Sequence, residues 1–355
     1  MDCLRDWPEP VVRVQSIADS GAKTIPERYV KPPSDRPSHA ADAGSQLAIP
    51  VIDLADDERM IAADVASACE EWGFFQAVNH GVSPALMRRA REAWRGFFHL
   101  PMPEKQRYAN SPATYEGYGS RLGVEKGSIL DWGDYYFLHL RPRRLMSHEK
   151  WPSLPPCLRE TVDEYGRELI KLCERLMRVL SRGLGLDGGR LQATFGGGGD
   201  DDGVGVCMRV NFYPKCPQPE LALGLSSHSD PGGLTVLLPD DRIKGLQVRK
   251  DGNWVTVEPA PDAFIVNIGD QIQVVSNAVY RSVEHRVLVN ADAERLSIAF
   301  FCNPKSDIAL GPLPELVTPD RPALYQPMTF DEYRLYIRKK GPRGKSQVES
   351  LEGER

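Results

Sequence analysis

Apolar residues recur at Leu158, Val162, Tyr165, Leu169, Leu172, Leu176 and Val179. Their spacing of four and three puts them on one face of a helix running from about Pro155 to Leu186. The spacing also suits a coiled-coil seam, but three heptads standing alone in a globular chain are expected to pack on a sheet. Gly183 and Gly185 mark the end. Upstream, Ile49–Leu54 reads as a short strand, Asp57–Trp72 as a helix and Gly73–Val78 as a buried strand. Asn79-His80-Gly81 is a turn in which His80 is expected to be hydrogen-bonded locally. Ser83-Pro84 then opens a second helix, as cap and first helical position. The Gly- and Tyr-rich stretch 110–130 predicts a loop. Trp132–Leu140 predicts extended chain with Tyr135 and Phe137 on one face.

Residues 196–203 are all glycine, apart from three aspartates, and predict a flexible connector. Beyond it the texture changes to close-set β-prone runs: Val204–Tyr213, Leu234–Leu238, Leu246–Val248, Trp254–Val257, Phe264–Ile268, Ile272–Val275, Val283–Val289 and Leu296–Cys302. Short strands separated by turns such as Asp251-Gly252 and Gly269-Asp270 predict a sandwich or jelly roll. A last helix starts at Thr329, which forms a capping box with Glu332 and has Met328 and Tyr333 placed as a hydrophobic staple. Lys339 and Lys340 suit its C-terminal dipole, and Gly341-Pro342 stop it.

Composition narrows the class. The 355 residues are 41 % hydrophobic and 26 % charged, as in a globular chain, with a net charge of −5. Positive charge is scattered, so nucleic acid is not the expected partner. The longest apolar runs fall far short of a membrane span, and the start, Met-Asp-Cys-Leu-Arg-Asp-Trp, lacks a signal-peptide core. The seven cysteines are dispersed without a Cys-x-x-Cys pair, which points to reduced thiols in the cytoplasm or nucleus. A monomer is expected.

The candidate chemistry centres on His228-Ser229-Asp230. In extended chain, residues two apart face the same side, so one imidazole and one carboxylate can aim at a common point. An isolated His-x-Asp is common by chance. His285, 57 residues on, shares a strand face with Val283, Val287 and Val289, where a lone histidine is usually a core residue. Arg295-x-Ser297, ten residues later, changes that balance, because a guanidinium beside a hydroxyl suits one end of a dicarboxylate. Two histidines and one carboxylate on one face make the ligand set of non-haem Fe(II) oxygenases. Arg209, Asn211 and Tyr213 share one face of the first barrel strand, and Tyr213 is placed to add a hydrogen bond to that carboxylate.

His228-x-Asp230 … His285 … Arg295-x-Ser297, with Asn211-Phe-Tyr-Pro-Lys-Cys216 upstream, resembles the plant 2-oxoglutarate- and Fe(II)-dependent dioxygenases over roughly residues 45–340. The stretch Gly73-Phe-Phe-Gln-Ala-Val-Asn-His-Gly81 fits their N-terminal region, and no core motif position departs from the pattern. The resemblance implies a double-stranded β-helix core and Fe(II) held by His228, Asp230 and His285. It also implies 2-oxoglutarate bound by Arg295 and Ser297 with Tyr213 and Asn211 beside them, and ascorbate as reductant.

Four further stretches look like the jasmonate-induced oxygenases, also called jasmonic acid oxidases: 6–16, 25–33, 131–139 and 328–337. That subgroup hydroxylates jasmonic acid to 12-hydroxyjasmonic acid and so lowers the active hormone and its defence signalling. A small apolar acid needs a cation for its carboxylate and apolar walls. The candidates are Arg209, Arg334 and Arg338, with Phe301, Phe330 and Phe137 as walls; Phe330, Arg334 and Arg338 form one helical stripe. The same chemistry on a flavonoid or another hormone is the alternative within the family. A metal-dependent binding protein without turnover is the alternative outside it.

The expected organisation is an extended arm over 1–48, an α/β region over 49–195 packing on the core, and the oxygenase core over 204–305. A C-terminal extension with a lid helix over 306–341 and a disordered tail over 342–355 complete it.

Overall fold

The structure is a computed structural model that describes residues 6–37, 47–196, 204–342 and 344–351. Most of the expected connector 196–203 therefore lies outside the described residues. In chain order the strands of the two main sheets are β1 Val51–Asp53, β2 Phe74–Val78, β3 Gly117–Gly119, β4 Asp134–Arg141, β5 Gly205–Tyr213 and β6 Leu225–His228. They continue with β7 Leu234–Leu238, β8 Leu246–Lys250, β9 Asn253–Thr256, β10 Phe264–Ile268, β11 His285–Val287 and β12 Arg295–Asn303. An eight-stranded sheet runs β1-β2-β10-β7-β12-β5-β4-β3, and a four-stranded sheet runs β6-β11-β8-β9. Two facing, mostly antiparallel sheets make the jelly roll.

Strand alternation sorts the side chains. Leu296, Ile298 and Phe300 of β12, with Val210 and Phe212 of β5, turn outward to a core shared with the helices Glu58–Glu71, Pro84–Phe98 and Leu158–Gly183. Every stripe residue of the long helix is buried there, and each buried Leu contributes about 2 kcal/mol of transfer free energy. The stripe covers the sheet, as its isolation in the chain implied. On the inner side Phe74, Tyr213, Leu246, Val248, Ile265 and Val287 form a second cluster between the sheets. The intervening β12 positions, Arg295, Ser297 and Phe301, face this interior and line its cavity.

The expected boundaries shift in four places. The N-terminal region does more than pack on the core, because β1 to β4 extend the barrel's own large sheet. The arm contains a helix, Val14–Asp19, and docks through Val14, Ile25 and Tyr29 against Trp132 and Cys216. The strand expected at Ile272–Val275 is instead the helix Asp270–Val275. A short apolar run cannot distinguish a buried strand from a buried helix; here Asp270 N–H donates to Asp230 O and Gln271 N–H to Gly232 O, holding the turn at the helix start. The tail expected to be disordered forms the helix Ser346–Glu349, with Val348 and Leu351 buried; residues 352–355 lie outside the described residues. His80 is satisfied as expected, between Val82 N–H and Asp262 O. Among the described residues no helix is long and apolar enough to cross a membrane.

Candidate active site

β6 ends at His228, and β11 pairs with it antiparallel so that His285 stands opposite His228. Cross-strand pairing brings the two rings to 4.2 Å between centroids. The carboxylate of Asp230 closes the group, its Oδ1 3.6 Å from His228 Nε2 and 3.7 Å from His285 Nε2. Two ligands each about 2.1 Å from a metal lie at most about 4.2 Å apart, so these separations suit a shared ion. Among the described residues this is the cluster whose ligand atoms converge in that way.

Local bonds set the polarity of each ligand. His228 Nδ1 lies 2.8 Å from Ser226 O, and His285 Nδ1 lies 3.1 Å from Val283 O. A carbonyl only accepts, so each Nδ1 carries its proton and each Nε2 keeps a lone pair toward the cluster. Asp230 Oδ2 accepts from Thr235 Oγ1 at 2.5 Å and Asn267 Nδ2 at 2.8 Å, leaving Oδ1 for a cation. Burial works against ionising Asp230, but the two imidazoles and these hydrogen bonds outweigh it and hold the carboxyl below its ordinary range. Burial, then the neighbouring His285, pulls His228 down to about 4. Asp230 Oδ1 and the two Nε2 atoms thus converge on one point as a carboxylate and two nitrogens, a donor set suited to a divalent cation.

The β5–β12 register sets Arg295 opposite Tyr213, Ser297 opposite Asn211 and Ala299 opposite Arg209. Arg295 is 3 % exposed. Its Nε donates to Ile243 O at 3.2 Å, while Nη1 is buried without a partner. Burial lowers its pKa, with Tyr213 and Asp240 acting the other way. Gly245 makes room for the stem, since a Cβ there would sit 3.0 Å from Arg295 Cδ. The Tyr213 ring lies 5.5 Å below the guanidinium, in a slot where a Cβ on Gly224 would come within 2.6 Å of it. An orphaned guanidinium N–H beside a serine hydroxyl and a tyrosine is a fit for the far carboxylate of 2-oxoglutarate.

Across the cavity stands the helix Phe330–Lys340, opened by the Thr329–Glu332 capping box. Its Phe330, Arg334 and Arg338 line the cavity, as do Arg209, Phe137 and Phe301. Arg334 pairs with Asp331 at 2.5 Å and lies over the Phe330 ring. Arg338 lies over the ring of Tyr115, and burial, then the adjacent Arg334, lowers it to about 10. Arg209 stacks 3.9 Å from the Tyr135 ring and donates from Nε to Asn211 Oδ1 at 2.6 Å. Every residue nominated from the sequence borders this one cavity of about 240 Å³. A second cavity of about 720 Å³ adjoins it at Arg209, Asn211 and Tyr213. It is larger but contains none of the three candidate ligands, so its size does not make it the reaction chamber.

Sequence reasoning missed Tyr115, Cys207, Asn303 and the tail residues Gly344, Ser346 and Gln347, which also border the smaller cavity. Tyr115 sits in the expected loop at φ +60°, a conformation uncommon for a bulky side chain, and no local pattern announces it. For the tail the only signal was Val348 and Leu351, three apart in an otherwise polar stretch.

The model of the 2OG-Fe(II) oxygenase superfamily matches residues 205–304, and that of the non-haem dioxygenase in morphine synthesis N-terminal region matches residues 49–154. Jasmonate-induced oxygenase 2 of Arabidopsis thaliana is 61 % identical over 98 % of this chain and 94 % of its own length. Flavanone 3-dioxygenase 2 of Oryza sativa subsp. japonica is 43 % identical over 90 % of this chain and 92 % of its own. The crystal structure of JOX2 in complex with 2OG, Fe, and JA superposes with a TM-score of 0.92 at 61 % identity, over 98 % of this chain and 100 % of that one. The dioxygenase for auxin oxidation in rice gives 0.73 at 29 % identity, over 86 % and 100 %.

Proposed function

The chain belongs to the 2OG-Fe(II) oxygenase superfamily, among the jasmonate-induced oxygenases, and from that premise we propose that it hydroxylates jasmonic acid at carbon 12. The product would be 12-hydroxyjasmonic acid, and the consequence a smaller pool of active hormone. In this reading His228, Asp230 and His285 hold Fe(II), and Arg295, Ser297 and Tyr213, with Asn211 beside them, seat 2-oxoglutarate. Bound iron with its co-substrate and O2 supplies the oxidising chemistry, yielding succinate, CO2 and one oxygen atom for the substrate. The chain's own part is positional: Arg209, Arg334 and Arg338 fix the carboxylate, while Phe137, Phe301 and Phe330 wall the apolar body.

The observation that carries the proposal is the meeting of the Arg209, Arg334 and Arg338 guanidinium groups with the Phe137, Phe301 and Phe330 rings on the cavity that contains the His–Asp–His cluster. A small apolar monoacid matches that pairing of charge and wall, and a bound carboxylate fixes which carbon reaches the metal side. The relative solved in complex with 2OG, Fe, and JA supports the same choice of substrate. Purified protein incubated with Fe(II), ascorbate, 2-oxoglutarate and jasmonic acid should give a product heavier by one oxygen, with stoichiometric succinate. Turnover of a flavonoid with none of jasmonic acid refutes the substrate. Binding without succinate release refutes the catalyst. Arg209→Ala or Arg334→Ala should raise KM for jasmonic acid far more than KM for 2-oxoglutarate.

A further inference from the structure

The helix that carries Arg334 and Arg338 stops at Gly341, where φ is +76°, and the chain then turns back toward the metal-ligand strand. Gly344 forms a parallel bridge with His228. Its N–H donates to Ser227 O at 2.9 Å, and its carbonyl accepts from Ser229 N–H at 3.3 Å. Gly344 thus bonds on both sides of one candidate ligand, as a one-residue extension of the small sheet's edge. Its φ of +59° lies in the left-handed region, and a Cβ would meet Glu284 Oε1 at 2.6 Å.

From that anchor the short helix Ser346–Glu349 reaches back under the arginine-bearing helix. Gln347, 7 % exposed, donates from Nε2 to Tyr333 O. Val348 and Leu351 pack with Val274, Tyr325 and Tyr333. Gln326 N–H donates to Leu351 O at 3.1 Å, and Lys345 Nζ to Gln273 Oε1 at 3.2 Å. Tyr333 itself donates from its hydroxyl to Asp270 Oδ2 at 2.6 Å, while Asp270 N–H holds Asp230 O at 2.8 Å. Gly344, Ser346 and Gln347 border the same cavity as the arginines.

We propose that Gly344–Leu351 is a latch that fixes the arginine-bearing helix to the strand and turn carrying the candidate metal ligands. The distance between the arginines that hold the substrate carboxylate and the candidate metal ligands is then set by the protein and not by a free helix end. Gly344, Gln347 and Tyr333 are its positioning residues; none is assigned a contact with a reacting atom. The inference rests on the reading that Arg334 and Arg338 hold the substrate carboxylate.

Two variants of the full protein test it. Gly344→Pro removes the N–H that reaches Ser227 and demands a φ near about −65° where the chain is left-handed. A second variant ends the chain at Pro342. The expected result is a rise on the order of tenfold in KM for jasmonic acid, with KM for 2-oxoglutarate within about twofold. Amide exchange over residues 330–340 should accelerate in the metal-free protein, and the visible absorption of the anaerobic Fe(II)–2-oxoglutarate complex should persist. Unchanged KM for jasmonic acid with unchanged exchange overturns the latch. So does a parallel rise in KM for 2-oxoglutarate with loss of that absorption, because the ligand strand itself would then have given way. Faster exchange in variants of a parent that does not turn over jasmonic acid refutes the substrate reading and upholds the latch.

Discussion

Arg295 offers the most discriminating perturbation, because its buried Nη1 has no partner within the protein. If that group exists to receive a carboxylate, removing it should cost co-substrate binding and little else. Arg295→Lys keeps the charge but loses the fork and the Nε bond to Ile243 O. A charge-assisted hydrogen bond contributes about 1.5–3 kcal/mol, so losing one weakens 2-oxoglutarate by roughly 10- to 100-fold at 1.4 kcal/mol per decade. Arg295→Met loses both bonds and the charge, and should pass about a hundredfold. The metal- and ligand-free protein should respond differently. A buried unsatisfied donor costs about 1–3 kcal/mol, so the Met variant should match or exceed the parent in urea. The assays are anaerobic titration of the Fe(II) protein with 2-oxoglutarate, followed by its visible absorption, and KM from succinate release. Jasmonic acid KM should stay within about threefold. Binding of 2-oxoglutarate within twofold of the parent by Arg295→Lys would refute the assignment. A Met variant several kcal/mol less stable would show that the guanidinium serves the fold instead.

Thr235→Val removes the hydroxyl that donates to Asp230 Oδ2; Fe(II) affinity by titration should fall about 10- to 100-fold with the fold intact, and undiminished affinity would show that Asn267 suffices. His139 is 9 % exposed, and burial, then Arg334 and Arg338, lowers its pKa from the ordinary 6.5 to about 4. A folded value below the unfolded one means stability that is complete above about pH 6.5 and lost as pH falls toward 4, on the order of 3 kcal/mol. His139→Gln should flatten that part of the urea-stability profile between pH 7 and 4, and superimposable profiles would contradict the attribution.

Legibility from the sequence followed the range of the interactions involved. The stripe from Leu158 to Val179 and the Thr329–Glu332 box are set by neighbours three or four residues away, and both stand in the structure where the pattern put them. Strand alternation correctly turned Arg295, Ser297 and Phe301 to one side. Alternation failed at Ile272–Val275, where Gln273 between Ile272 and Val274 mimics a period of two although it is itself buried. Ile272, Val274 and Val275 are all buried, and the period became helical through bonds from Asp230 and Gly232 some 40 residues away. The segment Leu225–His228 lacked a strong β-prone composition, and it became a strand because β11 pairs with it.

The sequence by itself determined the chemical inventory: two histidines, a carboxylate, an Arg-x-Ser pair and a stripe of arginines, each at a spacing that local geometry turns to a common side. It also determined the family, since those spacings recur as a set. Tertiary structure alone decided that these pieces share one cavity, because contacts such as His228 with His285 bridge 57 residues and depend on sheet pairing. It also decided the fate of the C-terminal tail. Charged composition predicts disorder when a segment cannot bury enough apolar surface by itself. Val348 and Leu351 are buried nonetheless, in a site supplied by Val274, Tyr325 and Tyr333, and that receiving surface appears only once the chain has folded.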